Sequence, residues 1–439
     1  MRFWHFLAVL AACFNTSAQE SPIQSGPMIG YVDMREVLIW VQTNRPAEVQ
    51  IQYREKDSKT EPLYTQAVEA MASHAYAVKL VADQVQPGRS YEYEVLVDGE
   101  TIALPYPTTF DTQSIWRYRT DPPDFTVALG SCTYINEPEY DRPGDGYGGN
   151  YEIFEAIDRY HPDMMLWLGD NNYLREPDWW TRTGIFHRYT HTRSLPEMQP
   201  LLARTANYAI WDDHDFGPND SDRSWINKDI AKEAFDAFWG NPGSGLPGNP
   251  GGITTMFRYN DIDFFLLDNR YFRSPNDMAN RYENEILGEE QLNWLIEALV
   301  SSDATFKLVC IGGQVLNDAE KFEIYKNVAP RERDELLRRI ASEGIKNVVF
   351  ITGDRHHGEL NKLRLNEDVV VYDFTASPLT SGSGRIRNEV NENRVEGTLV
   401  TQRNFGFIEF SGPQEARKMR MSIRDVAGEE IWDYEIEAQ

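Results

Sequence analysis

One pattern limits what this chain can fold into more than any other. Beyond residue 120, five short apolar runs each stop abruptly on polar, potentially reactive side chains. FTVALG runs into Ser131-Cys132, MMLWLG into Asp170-Asn171-Asn172-Tyr173, and NYAIW into Asp212-Asp213-His214-Asp215. FKLVCIGG ends at Gln314, and NVVFITG at Asp354-Arg355-His356-His357. Amphipathic segments of helical period, YEIFEAIDRY, KDIAKEAFDAFWG, EEQLNWLIEALV and RERDELLRRIASEG, alternate with such runs. Apolar runs this short read as strands covered on both faces, so an α/β domain is expected over residues 123–439. In such folds the ligand lies beyond the carboxyl ends of the strands. Five reactive strand ends in succession therefore predict one site.

The chain before this point has a different rhythm. From Gly26 to about Trp116, VLIWVQT, EVQIQYRE, AYAVKL and SYEYEVLVDG are short alternating segments separated by Pro, Gly, Asp and Asn. They predict a small β-sandwich of the fibronectin or immunoglobulin type over residues 26–118, without a catalytic cluster of its own. Pro122-Pro123 marks the boundary, and GNPGSGLPGNPGG (240–252) is too rich in Gly and Pro to be an element. NFGFIEF and KMRMSIRD read as late strands that close a sheet.

Composition narrows the function. Of 439 residues, 43 are Lys or Arg and 69 are Asp or Glu, a formal charge of −26. That field repels polyphosphate chains, so neither long nucleic acid nor an anionic membrane surface is an expected partner. At 41% hydrophobic and 12% aromatic residues the chain has ample material for a large core. The amino terminus, MRFWHFLAVLAACFNTSAQ, carries one Arg and a short apolar run far below the roughly 20 residues that span a bilayer. It reads as an export signal over residues 1–18, with cleavage after Ala18 and a periplasmic or secreted product. Leu10-Ala11-Ala12-Cys13 offers an alternative, a lipoprotein box that would anchor Cys13 to lipid at the cell envelope. Beyond it only Cys132 and Cys310 remain, too few for a disulfide framework.

The five strand ends carry the chemistry of a dinuclear or larger metal centre. Cys132, Tyr173 and His356 offer thiolate, phenolate and imidazole, which favour a charge-rich ion such as Fe3+. Asp213, Asp354 and the amide of Gln314 offer oxygen alone, which suits Ca2+ or another hard divalent ion. Asp170, on the central strand, is placed to bridge the two. Paired ions lower the pKa of bound water and clamp a phosphoryl group during in-line attack. His214 would protonate the leaving alkoxide or hydrogen-bond the developing oxyanion. Arg355 and, in the segment TRTGIFHRYTHTRS, Arg182, Arg188 and Arg193 are candidates to grip non-bridging oxygens, although in so acidic a chain a surface salt bridge is the commoner role for any single Arg. Trp179, Trp180 and Phe186 are candidate stacking surfaces, although an aromatic helix face is more often core.

In this order and context, Gly130-Ser131-Cys132, Gly169 to Tyr173, Trp211 to Asp215 and Thr352 to His356 resemble the calcineurin-like metallophosphoesterases, and within them the PhoD-like alkaline phosphatase/phosphodiesterase family. The likeness runs through roughly residues 120 to 380 and takes in LLDNRYFRS, Leu266 to Ser274, where Asp and Arg follow a strand. The resemblance implies a fibronectin-like β-sandwich followed by a calcineurin-like α/β sandwich. It also implies an exported, metal-dependent phosphoester hydrolase using iron and calcium on a small phosphate ester such as a nucleotide or lipid head group. By the same likeness Tyr173 is a ferric ligand, Asp213 and Asp354 are metal ligands, and His214 is the catalytic histidine. Gln314 stands where the superfamily has a lone His, and Ser131-Cys132 near its missing Asp-x-His. Two other functions compete: a calcium-stabilised, non-enzymatic surface binding protein, and a hydrolase of neutral phosphotriesters.

Overall fold

The computed structural model describes residues 21–439 apart from 322, 385, 387 and 388, so the export signal expected over residues 1–18 and Cys13 lie outside the described residues. Residues 23–111 form two packed antiparallel sheets. One places Val37–Thr43 between Ile23–Val32 and Ala77–Ala82. The other is centred on Ala47–Glu55 and Ser90–Val97, with short strands along its edges. Alternation does the expected work in Ala47–Glu55, where Val49, Ile51 and Tyr53 are buried while Glu48 and Arg54 are exposed. Val37–Thr43 is buried along its whole length, because its outer face meets the second module. There Trp40 Nε1 donates to Ala237 O at 2.8 Å and Gln42 Nε2 to Thr190 Oγ1 at 2.8 Å. The sandwich is thus fibronectin-like and firmly docked.

The second module is an α/β sandwich of two six-stranded sheets. The first sheet runs Ala206–Ile210, Met164–Leu168 and Phe125–Gly130, all parallel, then Asn404–Ser411, Lys418–Asp425 and Glu430–Glu437. The second orders Thr255–Tyr259, Ile262–Leu266, Phe306–Cys310, Val348–Thr352, Val370–Thr375 and Glu359–Arg364, parallel through its middle four. Strand Ile262–Leu266 shows why its run is unbroken. Ile262, Phe264 and Leu266 enter the core shared with the first sheet, whereas Phe265 joins Leu295, Ile296 and Leu336 of the outer helices Gly288–Ser301 and Pro330–Ser342. Both faces are covered, so a period of two gives way to continuous apolarity. Cys310 is a free, buried thiol in this core. The three late strands extend the first sheet on the side away from its parallel half.

The parallel strands of both sheets bring their carboxyl ends to one edge of the sandwich. Cys132, Asp170 and Asp213 follow strands of the first sheet; Asn269, Gln314 and Asp354 follow strands of the second. No helix among the described residues is long and apolar enough to cross a membrane.

Candidate active site

Each strand end turns sharply into the cleft. Cys132 (φ 59°), Asp170 (φ 51°), Asp354 (φ 65°) and His356 (φ 54°) all hold left-handed backbone. That geometry costs a non-glycine residue about 1–2 kcal/mol, and it gathers where surrounding structure imposes it. Here the loops impose it on one another: Cys132 N donates to Gly169 O at 3.2 Å, Leu379 N to Ser131 O at 2.8 Å, and Gly353 N to Gly312 O at 2.7 Å. Gly312 must be bare, since a Cβ there would lie 2.5 Å from both Asp212 Oδ2 and Asn269 Nδ2.

Three groups of donors overlap in this pocket: Cys132, Asp170 and His356; Asp170, Asp213 and His214; and Asp212, Asp213 and Asp354. Within each group the donor atoms lie inside 4.8 Å of one another. Asp170 belongs to the first two and Asp213 to the last two. Asp170 Oδ2 sits 3.6 Å from Cys132 Sγ and accepts from Tyr173 Oη at 3.2 Å, while its Oδ1 accepts from the His214 amide at 3.2 Å. The His214 ring lies on that of Tyr173, with centroids 4.2 Å apart.

The two remaining carboxylates of WDDHD brace the site. Asp215 accepts from the amides of Asn171, Asn172 and Asp212, tying two strand ends together. Asp212 caps the short helix Asp213–Phe216 and takes Asn269 Nδ2 at 2.8 Å and the Arg270 guanidinium. Asp213 between them accepts from the Asp220 amide at 2.7 Å through Oδ2, while its Oδ1 has no hydrogen-bond partner.

Electrostatics favour added positive charge. Burial, reinforced by the charges of Asp213 and Cys132, pushes Asp170 well above the carboxylate range. Burial and the charges of Asp212 and Asp213 raise Asp354 to about 7. Burial, with Asp354 beside it, lifts the Cys132 thiol to about 12, and burial with Asp170 beside it raises the Tyr173 phenol. Burial opposes ionisation of Asp213 too, but His214 and Arg270 hold it below its ordinary value. Asp212 Oδ2 and Asp213 Oδ1 are buried without a hydrogen-bond partner. Acids forced together, two of their oxygens unpartnered, with a thiol, a phenol and an imidazole alongside, make a donor set that fits metal ions.

Several expected participants are employed elsewhere. The Gln314 amide donates to Glu359 Oε1 at 2.7 Å and Thr375 Oγ1 at 2.9 Å, and its oxygen accepts from Asn317 at 2.9 Å and Arg355 at 3.4 Å. Its lone pairs are already committed. Arg182 pairs with Glu233 at 2.7 Å, Arg188 with Glu137 and Asp178 at 2.9 Å each, and Arg193 lies 4.0 Å over the Trp239 ring. These three hold a helix in place and do not line the pocket as a phosphate clamp. Phe186 is core and Trp179 is half-buried against it, while Trp180 is exposed beside Trp225. Arg355 is half-free: its guanidinium meets Glu389 at 2.8 Å.

The pocket also contains residues not singled out from the sequence. Arg270, 1% exposed at the side chain, lies against Asp212, 3.7 Å from Asp213 and 3.7 Å from Glu323, with its Nη1 unpartnered. Arg273 meets Glu323 at 3.4 Å. Tyr147 reaches in from a glycine-rich loop, its hydroxyl 3.2 Å from His356 Nδ1. Arg270 had a legible signal, since IDFFLL is a sixth apolar run ending on Asp268-Asn269-Arg270.

Comparison with known proteins now decides the family. A family model described as PhoD-like phosphatase matches residues 127–421, well over half of the chain. The chain belongs to the PhoD-like phosphatase family. Residues 20–115 match a second model, described as a domain of unknown function (DUF7800). Alkaline phosphatase D of Bacillus subtilis (strain 168) is 23% identical in an alignment 374 positions long that covers 71% of this chain and 60% of that protein. This member of the PhoD-like family therefore spans less than two thirds of that relative's length. A solved structure of PhoD superposes with a TM-score of 0.76 at 17% identity, covering 95% of this chain and 92% of the other. The purple acid phosphatase PPD1 from yellow lupin (Lupinus luteus) seeds gives 0.67 at 12% identity, over 94% of this chain and 74% of that one. At these identities the superpositions show a shared fold, that of the calcineurin-like sandwich.

Proposed function

We propose that the chain is an exported, metal-dependent phosphoester hydrolase acting on phosphomonoesters, phosphodiesters or both. The observation that carries this reading is the run of three overlapping donor groups at the joined carboxyl ends of two sheets. Cys132, Asp170, Tyr173 and His356 would hold one ion, for which ferric iron suits the thiol and phenol. Asp213, Asp354 and Asp170 would hold the other, for which calcium suits the oxygen set, with Asp212 beside them in place of the committed Gln314. When bound, such ions supply a water of lowered pKa and positive charge for the phosphoryl oxygens.

The remaining work belongs to side chains of the chain itself. His214 is positioned by the hydrogen bond its backbone N–H donates to Asp170 and by the Tyr173 ring beneath it. Burial lowers its pKa from the ordinary imidazole value, which favours the neutral ring, and its N–H would hydrogen-bond the oxyanion as the ester bond breaks. Arg355, oriented by Glu389, and the spare Nη1 of Arg270 supply fixed positive charge to an anionic substrate. Export is read from the apolar run Phe3 to Ala12, and the mass of the mature amino terminus distinguishes cleavage after Ala18 from lipid on Cys13.

Turnover of aryl phosphomonoesters and diesters, assayed with metal content before and after chelation, tests the proposal. Activity should vanish with the metal and return on reloading; full activity in metal-stripped protein would overturn it. In the same assay kcat should hold or rise as pH passes upward through the ordinary imidazole range. A His214 required in its protonated form would instead lose rate there, because a lowered pKa empties that form first.

A further inference from the structure

The sequence pattern and the family likeness leave Tyr147 without a role, yet the structure has built a seat for it. The loop that carries it is closed by Asn136, whose side chain donates to Gly148 O at 2.8 Å and accepts from Gly148 N at 2.9 Å. Gly149 N donates to Thr380 O at 3.0 Å, which sews the loop to the second sheet's strand-end segment. Arg403 then spans both sides, donating to Tyr147 O at 3.1 Å, to Asn150 Oδ1 at 2.7 Å and to Ser381 O at 2.9 Å. The ring itself rests edge-on against Tyr134, centroids 4.9 Å apart, and its hydroxyl reaches His356 Nδ1. On another side Gly382 is bare: a Cβ there would stand 2.6 Å from Tyr147 Cε2. A flexible loop residue needs none of this.

The seat fixes the hydroxyl end within the pocket while the residue as a whole stays 43% exposed. Its ring centroid is 6.1 Å from that of His356 and 6.4 Å from that of Tyr173, both at the first donor group. A phosphoryl group held over the donor cluster would send its organic portion outward, and Tyr147 stands half-exposed on that rim beside His356. A rigid, half-exposed aromatic ring gives a flat π-face low entropy cost and little sequence of motion to arrest. Resting on the phosphoester reading above, we propose that Tyr147 is the platform for the organic group of the substrate, and that the preferred esters bear an aromatic or heteroaromatic ring.

Non-hydrolysable phosphonates test this without the confounding effect of leaving-group reactivity. Competitive inhibition by phenylphosphonate and by ethylphosphonate is measured on metal-loaded wild type, Tyr147→Ala, Tyr147→Phe and Gly382→Ala, with metal content determined for each. The wild type should bind phenylphosphonate about tenfold more tightly than ethylphosphonate. Tyr147→Ala should erase that ratio, whatever its effect on binding of phosphonates in general; Tyr147→Phe should keep it, and Gly382→Ala, which dislodges the ring, should erode it. A wild-type ratio near one, or a ratio that survives Tyr147→Ala, overturns the platform and leaves the hydrolase reading standing. Failure of the metal-loaded wild type to bind either phosphonate or to turn over any phosphoester overturns the hydrolase reading itself.

Discussion

Asp170→Asn should reduce kcat/KM for phosphoesters by about a thousandfold or more, a loss of several kcal/mol at the barrier. Among the described residues, Asp170 alone of the His, Cys, Asp and Glu side chains belongs to both the Cys132–His356 group and the Asp213–His214 group. Its two oxygens also face different partners, Oδ2 toward Cys132 and Tyr173 and Oδ1 toward the His214 amide. Asparagine keeps the shape and one acceptor oxygen while deleting a charge and replacing the other oxygen with a donor. Both donor groups should therefore weaken together, so the variant, purified in parallel with wild type, should carry less of both metals. Wild-type turnover with full metal content would sink the bridging role. Loss of one metal alone would place Asp170 in a single coordination sphere.

The second large effect is on stability. Arg270→Met should destabilise metal-free protein by about 3–5 kcal/mol, the usual result of removing one partner from a buried ion pair. The pair is buried on both sides, with Arg270 and Asp212 side chains each 1% exposed, and Asp213 and Glu323 stand 3.7 Å away. Methionine fills much of the volume but leaves Asp212 and Asp213 facing Asp354 with no fixed cation between them. Two manipulations should return part of the loss. Divalent ions replace the missing charge, and acidification lets the stranded carboxylates take up protons, so the deficit shrinks as pH falls. Denaturant midpoints of chelated and calcium-loaded protein, compared at neutral and mildly acid pH, check both. A deficit below 1 kcal/mol by that comparison would mean that Arg270 serves substrate alone.

What could be read from the sequence followed from burial. Strands covered on both faces carry few polar side chains, so the point where FTVALG or NVVFITG meets Cys132 or Asp354 marks a strand end, and parallel strands put such ends on one edge. The direction of each side chain beyond that end was not legible. In WDDHD the neighbours Asp213 and Asp215 differ only in which way a four-residue helix points them: one faces His214 and Asp170, the other faces a ring of amides. Gln314 was committed by Glu359, Thr375 and Asn317, partners that only the folded second sheet assembles. Arg188 and Arg193 stood out as positive charges in an acidic chain, but desolvation is affordable for them because carboxylates and an indole are waiting. Tyr147 sat in a stretch of Pro, Gly and Asp that carries no period at all, so nothing local announced it.

Donors for the expected ions come from opposite halves of the sandwich, Cys132, Asp170 and Asp213 from one sheet and Asp354 and His356 from the other. A cation seated between them is also a rivet. Whatever free energy favours its retention must be surrendered before the halves can part, so metal binding adds directly to resistance to unfolding. A protein built like this would keep bound ions for as long as it keeps its shape, and slow metal exchange would be the signature of that design.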